Sequence, residues 1–207
     1  MNPSYIRPLE WSLDKAGGRA PLLVLLHGYR QDRATALSQW SAYKGRVHLL
    51  SVEGPLAHES GNPRRISSAW YVYDGNRERF RAEMDLTCRS LDNVVAHVAP
   101  TLDIKETWVG GFSQGGYLAL YWALCHSLGM RRVHSVGGNL NADFLPAILP
   151  NTRVILSHGS KDEFLPPLKM ESLESSLKER GVEVSRHSHE AGHEFTAAMA
   201  ADLGDLP

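Results

Sequence analysis

A series of short, continuously apolar runs, set between longer stretches of helical periodicity, constrains this chain more than any other feature of its sequence. Pro21–Leu26 reads Pro-Leu-Leu-Val-Leu-Leu. A run that is apolar at every position, not every second one, is the pattern of a strand covered on both faces. Val47–Val52, Thr107–Gly110, Val133–Val136 and Arg153–Ser157 repeat it, and Val182–His187 is the least apolar of the set. The weakly alternating Leu9–Leu13 suits an edge strand. Helical spacing fills the intervals. In Asn76–Ala99 the apolar residues Phe80, Met84, Cys88, Leu91, Val95 and Val98 recur at steps of three and four, which makes one buried stripe. Gln114–Leu128 is apolar almost all round, as a central, well-covered helix would be. Pro166–Arg180 places Met170, Leu173 and Leu177 on one face, has basic residues in its last turn and stops at Gly181. Strands alternating with helices predict the α/β class, a mostly parallel sheet with helices on both faces. Such sheets hold ligands beyond the carboxyl ends of their strands, so every chemically active residue should follow a strand. No repeat or long linker divides the sequence, and 207 residues suit one domain spanning 1–207.

Charge narrows the partners. A formal net charge of −1 gives no electrostatic reason to expect nucleic acid or an anionic membrane. The Arg64-Arg65 and Arg131-Arg132 pairs are short enough to be solvated. Two cysteines, Cys88 and Cys125, are too few for a disulfide framework and sit in apolar helical patterns, so buried free thiols are expected. No apolar signal region stands at the N-terminus and no run reaches the length of a membrane span, so cytoplasmic residence is the expectation. A homodimer stays open.

The strongest chemical signal is Gly111-Phe112-Ser113-Gln114-Gly115-Gly116, a G-x-S-x-G sequence after a strand and before a helix. A serine hydroxyl becomes a useful nucleophile when a sharp turn projects it towards a base, and the flanking glycines permit that close approach. The following helix aims its N-terminal N–H groups at the site, where they favour developing negative charge. The base is expected at His193, in Ala191-Gly192-His193-Glu194-Phe195 after the last strand. His187, His189 and His193 would read instead as a metal cluster, but no carboxylate or cysteine completes a familiar ligand spacing, so no metal is expected. His158 reads as structural. Asp162, in Ser157-His158-Gly159-Ser160-Lys161-Asp162-Glu163, is placed to orient the imidazole, with Glu163 as local rival. The order Ser113, Asp162, His193 is the order of the α/β-hydrolase fold. For the oxyanion, one backbone donor is expected at Gln114 and the other at Tyr29, in the His27-Gly28-Tyr29-Arg30-Gln31-Asp32 loop after the first buried strand.

On Leu25-Leu26-His27-Gly28, the serine motif, the His158–Asp162 loop through Pro166, and Gly192-His193, the chain resembles the phospholipase/carboxylesterase family, which includes acyl-protein thioesterases and small carboxylesterases. The resemblance implies an α/β-hydrolase fold without a large lid, no metal or organic cofactor, and esterase or thioesterase activity on a small-molecule ester or thioester. It also implies Ser113, Asp162 and His193 as the triad. The loop departs from the family's usual His-Gly-Leu-Gly-Asp, reading Tyr29-Arg30-Gln31-Asp32. That form is similar to the FSH/OVCA-type serine hydrolases, as are Gly54-Pro55 and Ala69-Trp70-Tyr71. The departure leaves the acyl pocket open. Trp70, Tyr71, Tyr73, Phe112, Phe164, Leu165 and Phe195 stand near strand ends as pocket candidates, with Arg64 and Arg65 placed to meet an anionic leaving group. The expected substrate carries a small or medium acyl group. The rival readings are a lactone or dienelactone hydrolase on the same triad, and a binding module that keeps the scaffold without catalysis.

Overall fold

Each buried apolar run becomes a strand. The computed structural model describes residues 7–59, 66–126 and 129–204; the Arg64-Arg65 pair lies outside them. In chain order the elements are β1 (Trp11–Asp14), β2 (Ala20–Leu26), α1 (Arg33–Gln39), β3 (His48–Val52), β4 (Leu56–Glu59), β5 (Ile66–Ala69) and α2 (Arg77–Val98). Then come β6 (Ile104–Phe112), α3 (Gln114–Tyr121), β7 (Met130–Val136), β8 (Arg153–Gly159), α4 (Pro167–Lys178), β9 (Val184–His189) and α5 (Ala197–Ala201).

Seven strands form one sheet in the order β1-β3-β2-β6-β7-β8-β9. β1 pairs antiparallel with β3 at the edge, and the other neighbours pair in parallel. The strand order reverses between β2 and β6, so a crevice opens at their carboxyl ends, the usual ligand position of such a sheet. β4 and β5 form a separate antiparallel hairpin at this end, which the apolar pattern did not announce.

Both faces of the sheet are covered. Leu22, Val24 and Leu26 of β2 point into a cluster with Met84 and Leu91 of α2, Leu118 of α3 and Met170 and Leu173 of α4. The alternate residues Leu23 and Leu25 meet Ala36 of α1, Trp40 and Met199 of α5. This period-two division explains why β2 is apolar at every position. Asn76 caps α2 by accepting the N–H of Arg79, and Gly181, at φ +78°, ends the chain's course through α4. In α2 Val94 joins the buried stripe while Val95 is half-buried.

The expected helix Gln114–Leu128 is shorter. After Tyr121 the backbone widens into a π-helical segment, Trp122–His126, and residues 127–128 lie outside those described. The widening occurs where the Trp122 indole packs fully buried and its N–H donates to Asp92 Oδ1 on α2 at 2.8 Å.

Candidate active site

One residue separates β6 from α3, and its backbone is strained. Ser113 sits at φ 51° and ψ −114°, a conformation costing on the order of 1–3 kcal/mol for a residue with a side chain. Hydrogen bonds hold it there: its N–H donates to Val136 O at 2.8 Å, and its carbonyl accepts from Tyr117 N–H at 3.0 Å. The glycines around it have a steric reason. A Cβ on Gly111 would lie 2.3 Å from Gly115 O, and one on Gly115 would lie 2.2 Å from Leu26 O.

The strain projects the hydroxyl towards a base. Ser113 Oγ is 2.8 Å from His193 Nε2, and His193 Nδ1 is 2.7 Å from Asp162 Oδ2. The carboxylate is buried, and Oδ1 accepts the N–H groups of Phe164 and Leu165, both at 2.9 Å. A carboxylate only accepts, so Nδ1 of His193 carries its hydrogen and Nε2 offers a lone pair to the serine hydroxyl. Glu163, the local rival, is exposed. The acid and base loops are strapped together: Ser160 N–H donates to His189 O at 2.7 Å and Lys161 N–H to Ala191 O at 2.9 Å. The approach is so close that a Cβ on Gly159 would meet Gly192 O at 2.2 Å.

Tyr29 and Gln114 both line the resulting groove. Neither backbone N–H has a hydrogen-bond partner among the described residues, and that of Gln114 is the first of α3. The unusual loop is built to hold Tyr29. Gln31 N–H donates to Gly28 O at 3.1 Å, closing a turn in which Arg30 takes φ +59°. Arg30 N–H then donates to Ser68 O at 3.0 Å and Ser68 N–H to Gln31 O at 2.8 Å, so the loop is stitched to β5. The Tyr29 hydroxyl lies 2.8 Å from His58 Nε2 on β4.

Two side chains missed by the sequence reading complete this frame. His27 is buried, and burial pushes its pKa down, keeping the ring neutral. Its Nε2 accepts the N–H of Gly54 at 2.9 Å, so Nδ1 carries the hydrogen and meets Gly28 O at 2.8 Å. The Gln114 side chain accepts Trp70 N–H at 2.8 Å and donates to Tyr71 O at 2.9 Å, which ties the start of α3 to the segment after β5.

Of the expected pocket residues, Tyr71, Phe112, Phe164 and Leu165 line the groove, a cavity of about 620 Å³. Trp70 does not. It is completely buried beneath the site, stacked on the His27 ring at 4.9 Å with its indole N–H on His27 O. Phe195 packs instead against Trp40 and Phe112. Phe164 is 80% exposed with its ring 5.2 Å from that of His193, so it forms the rim. Tyr117, Asn139 and Lys169 also line the groove. Past Tyr71 and Tyr117 the groove adjoins a second cavity of about 520 Å³, walled by Tyr73, Phe80 and Phe144 with Arg77 beside them. Burial pushes the Tyr117 hydroxyl up to about 12 and that of Tyr71 well above its ordinary value, so both stay neutral donors.

The other titratable candidates fall elsewhere. His187 and His189 face Asp202 while His193 faces Asp162, and no metal-competent group of three ligands occurs among the described residues. His158 is buried beside Arg186. Cys88 is buried and Cys125 half-buried, and burial raises both thiols, Cys125 to about 12. No described helix is long and apolar enough to cross a membrane.

A family profile described as phospholipase/carboxylesterase matches residues 14–205. No curated protein sequence matches significantly. Among solved structures, a carboxylesterase from Mesorhizobium loti is 22% identical with a TM-score of 0.79, covering 93% of this chain and 91% of its own. The Bacillus cereus carboxylesterase is 18% identical with a TM-score of 0.77, covering 93% and 90%. Zea mays acyl-protein thioesterase 2 is 19% identical with a TM-score of 0.68, covering 94% and 99%. At these identities the structures establish a shared fold, that of the α/β hydrolases.

Proposed function

Since the chain belongs to the phospholipase/carboxylesterase family, we propose that it is a serine carboxylesterase or thioesterase acting on small-to-medium acyl groups through an acyl-enzyme on Ser113. The observation that carries this reading is the aligned chain from Ser113 Oγ to His193 at 2.8 Å and on to Asp162 at 2.7 Å.

His193 Nε2 takes the proton of Ser113 as Oγ attacks the scissile carbonyl carbon. The carbonyl oxygen becomes an oxyanion, held by the N–H groups of Tyr29 and Gln114. His193 then gives its proton to the leaving alcohol or thiol. In the second half, water replaces the serine: His193 deprotonates it, it attacks the acyl-enzyme, and the carboxylic acid is released as the proton returns to Ser113. Asp162 stabilises the imidazolium at both stages. Tyr71, Phe112, Phe164 and Leu165 form apolar walls against which the acyl group is oriented, and Tyr71 and Tyr117 lead to the aromatic second cavity.

The test is covalent. A fluorophosphonate probe should label the parent and leave Ser113→Ala unlabelled, with turnover of p-nitrophenyl acetate lost by several orders of magnitude. A panel of esters, thioesters and lactones then fixes the class. A clear preference for dienelactones would replace the esterase reading, and a parent inert to the probe would leave only a binding scaffold.

A further inference from the structure

Behind the catalytic groove a second set of polar side chains runs along the sheet. His134 on β7, Ser157 on β8, His189 at the end of β9 and Asp202 just after α5 form one hydrogen-bonded chain. His134 Nε2 lies 2.7 Å from Ser157 Oγ, and Ser157 Oγ lies 2.6 Å from Asp202 Oδ2. His189 Nε2 is 2.7 Å from the same carboxylate oxygen.

The direction of these bonds follows from their acceptor. Asp202 Oδ2 receives hydrogens from both the Ser157 hydroxyl and His189 Nε2, so Ser157 in turn accepts the Nε2–H of His134. His134 Nδ1 is left buried without a partner among the described residues. Burial pushes the His134 pKa down to about 3, which keeps the ring a neutral donor.

The position of Asp202 gives this chain a consequence for the active site. β9 ends at His189, Asp202 follows α5, and the segment between them carries His193. One carboxylate oxygen thus joins the two ends of that segment to each other and to β8. The half of the segment before His193 is located by the strap from Lys161 N–H to Ala191 O. After His193, the backbone of residues 194–196 makes no hydrogen bond outside α5 among the described residues. Its course is set by Phe195 packing on Trp40 and by where α5 docks. Tyr43 donates to the carbonyl of Ala200 in α5, and Arg132 to that of Leu203 just beyond it. Asp202 is the contact that refers α5 back to the end of β9.

We infer that Asp202 is a positioning residue for the hydrolytic reaction, pinning the His193 segment closed so that the imidazole stays in register with Ser113 and Asp162. The inference rests on the serine-hydrolase reading above. A misplacement of about 1 Å at a reacting group costs on the order of 10²-fold in rate.

The test uses Asp202→Ala, which removes the oxygen that Ser157 and His189 share. With p-nitrophenyl acetate, well below the thermal midpoint, kcat should fall about 10- to 100-fold while KM changes less than about twofold. The low-field proton resonance of His193 Nδ1, assigned by its absence from His193→Gln, should broaden or shift. His189→Ala should behave likewise, and His189→Gln, whose amide supplies a donor near the Nε2 position, should recover most of the loss. A folded Asp202→Ala with parental kcat and an unchanged resonance would overturn the positioning role. So would equal losses in His189→Ala and His189→Gln. Failure of the parent to react with the fluorophosphonate would instead overturn the serine-hydrolase reading, and the resonance would still report whether Asp202 positions His193.

Discussion

Asp162→Asn separates the roles of the two carboxylate oxygens. An asparagine offers one acceptor oxygen and one NH₂ donor. The Oδ1 position receives the N–H groups of both Phe164 and Leu165 at 2.9 Å, whereas Oδ2 receives His193 alone at 2.7 Å. Turning the NH₂ towards two backbone donors would strand both, at about 1–3 kcal/mol for each buried group left unpaired. The amide oxygen therefore keeps the backbone side, and the NH₂ faces His193 Nδ1. That nitrogen must now accept, so the ring hydrogen moves to Nε2 and points at Ser113. The hydroxyl then faces a donor and has lost its base. We expect kcat to fall about 10⁴-fold, on the order of 5 kcal/mol in activation free energy. KM should change little, since no groove wall is altered. Initial rates on p-nitrophenyl acetate between pH 6 and 9 measure this, and fluorophosphonate labelling should persist at a much reduced rate. A variant within tenfold of the parent would refute the tautomer argument and Asp162 as the orienting acid.

Two further outcomes follow from other parts of the structure. Gly115→Ala puts a Cβ 2.2 Å from the backbone oxygen of Leu26, where no flexible side chain is available to yield; urea unfolding should show a loss of about 3 kcal/mol, and a loss under 1 kcal/mol would mean that β2 and α3 are not held as described. His134 has a folded pKa of about 3 against an ordinary 6.5, so between these values the unfolded chain binds a proton that the folded one does not. Stability should therefore fall on acidification through that window, at up to about 1.4 kcal/mol per pH unit. His134→Gln keeps a donor for Ser157 and removes the titration, so its unfolding free energy should drop less between pH 7 and 4.5; an equal drop would exclude His134 as the source.

The strands were legible because burial on both faces demands unbroken apolar runs, and β2 and β8 show this plainly. β6 runs past the expected Thr107–Gly110 at both ends, from Ile104 to Phe112, and Gly110 within it has no room for a side chain: a Cβ there would stand 2.9 Å from the Trp40 ring. The hairpin β4–β5 and the helix α1 left little signal. The former has four-residue strands outside the main sheet, and the latter buries Ala36 alone. In the candidate site, the meeting of Ser113, Asp162 and His193 was legible because each follows its own strand. The Gln114 amide could not, since its partners lie after β5, far along the chain, and neither could Asp202, whose partners come from β8 and β9. Trp70 was misread because an aromatic after a strand end looks the same whether it faces a ligand or, as here, roofs a histidine.

The strap between the acid and base loops also restricts how such a protein can be remodelled. Ser160 and Lys161 are bonded to His189 and Ala191, and Gly159 touches Gly192 with no space for a methyl group. An extra residue or a bulkier one on either side would shear the carboxylate past the imidazole, so neither loop can be lengthened to reach a larger substrate. Room for change lies on the opposite bank, in the stretch between β7 and β8 that supplies Asn141 and Phe144. Library design for altered acyl selectivity belongs there, and grafted loops should be accepted on that bank and rejected on the other.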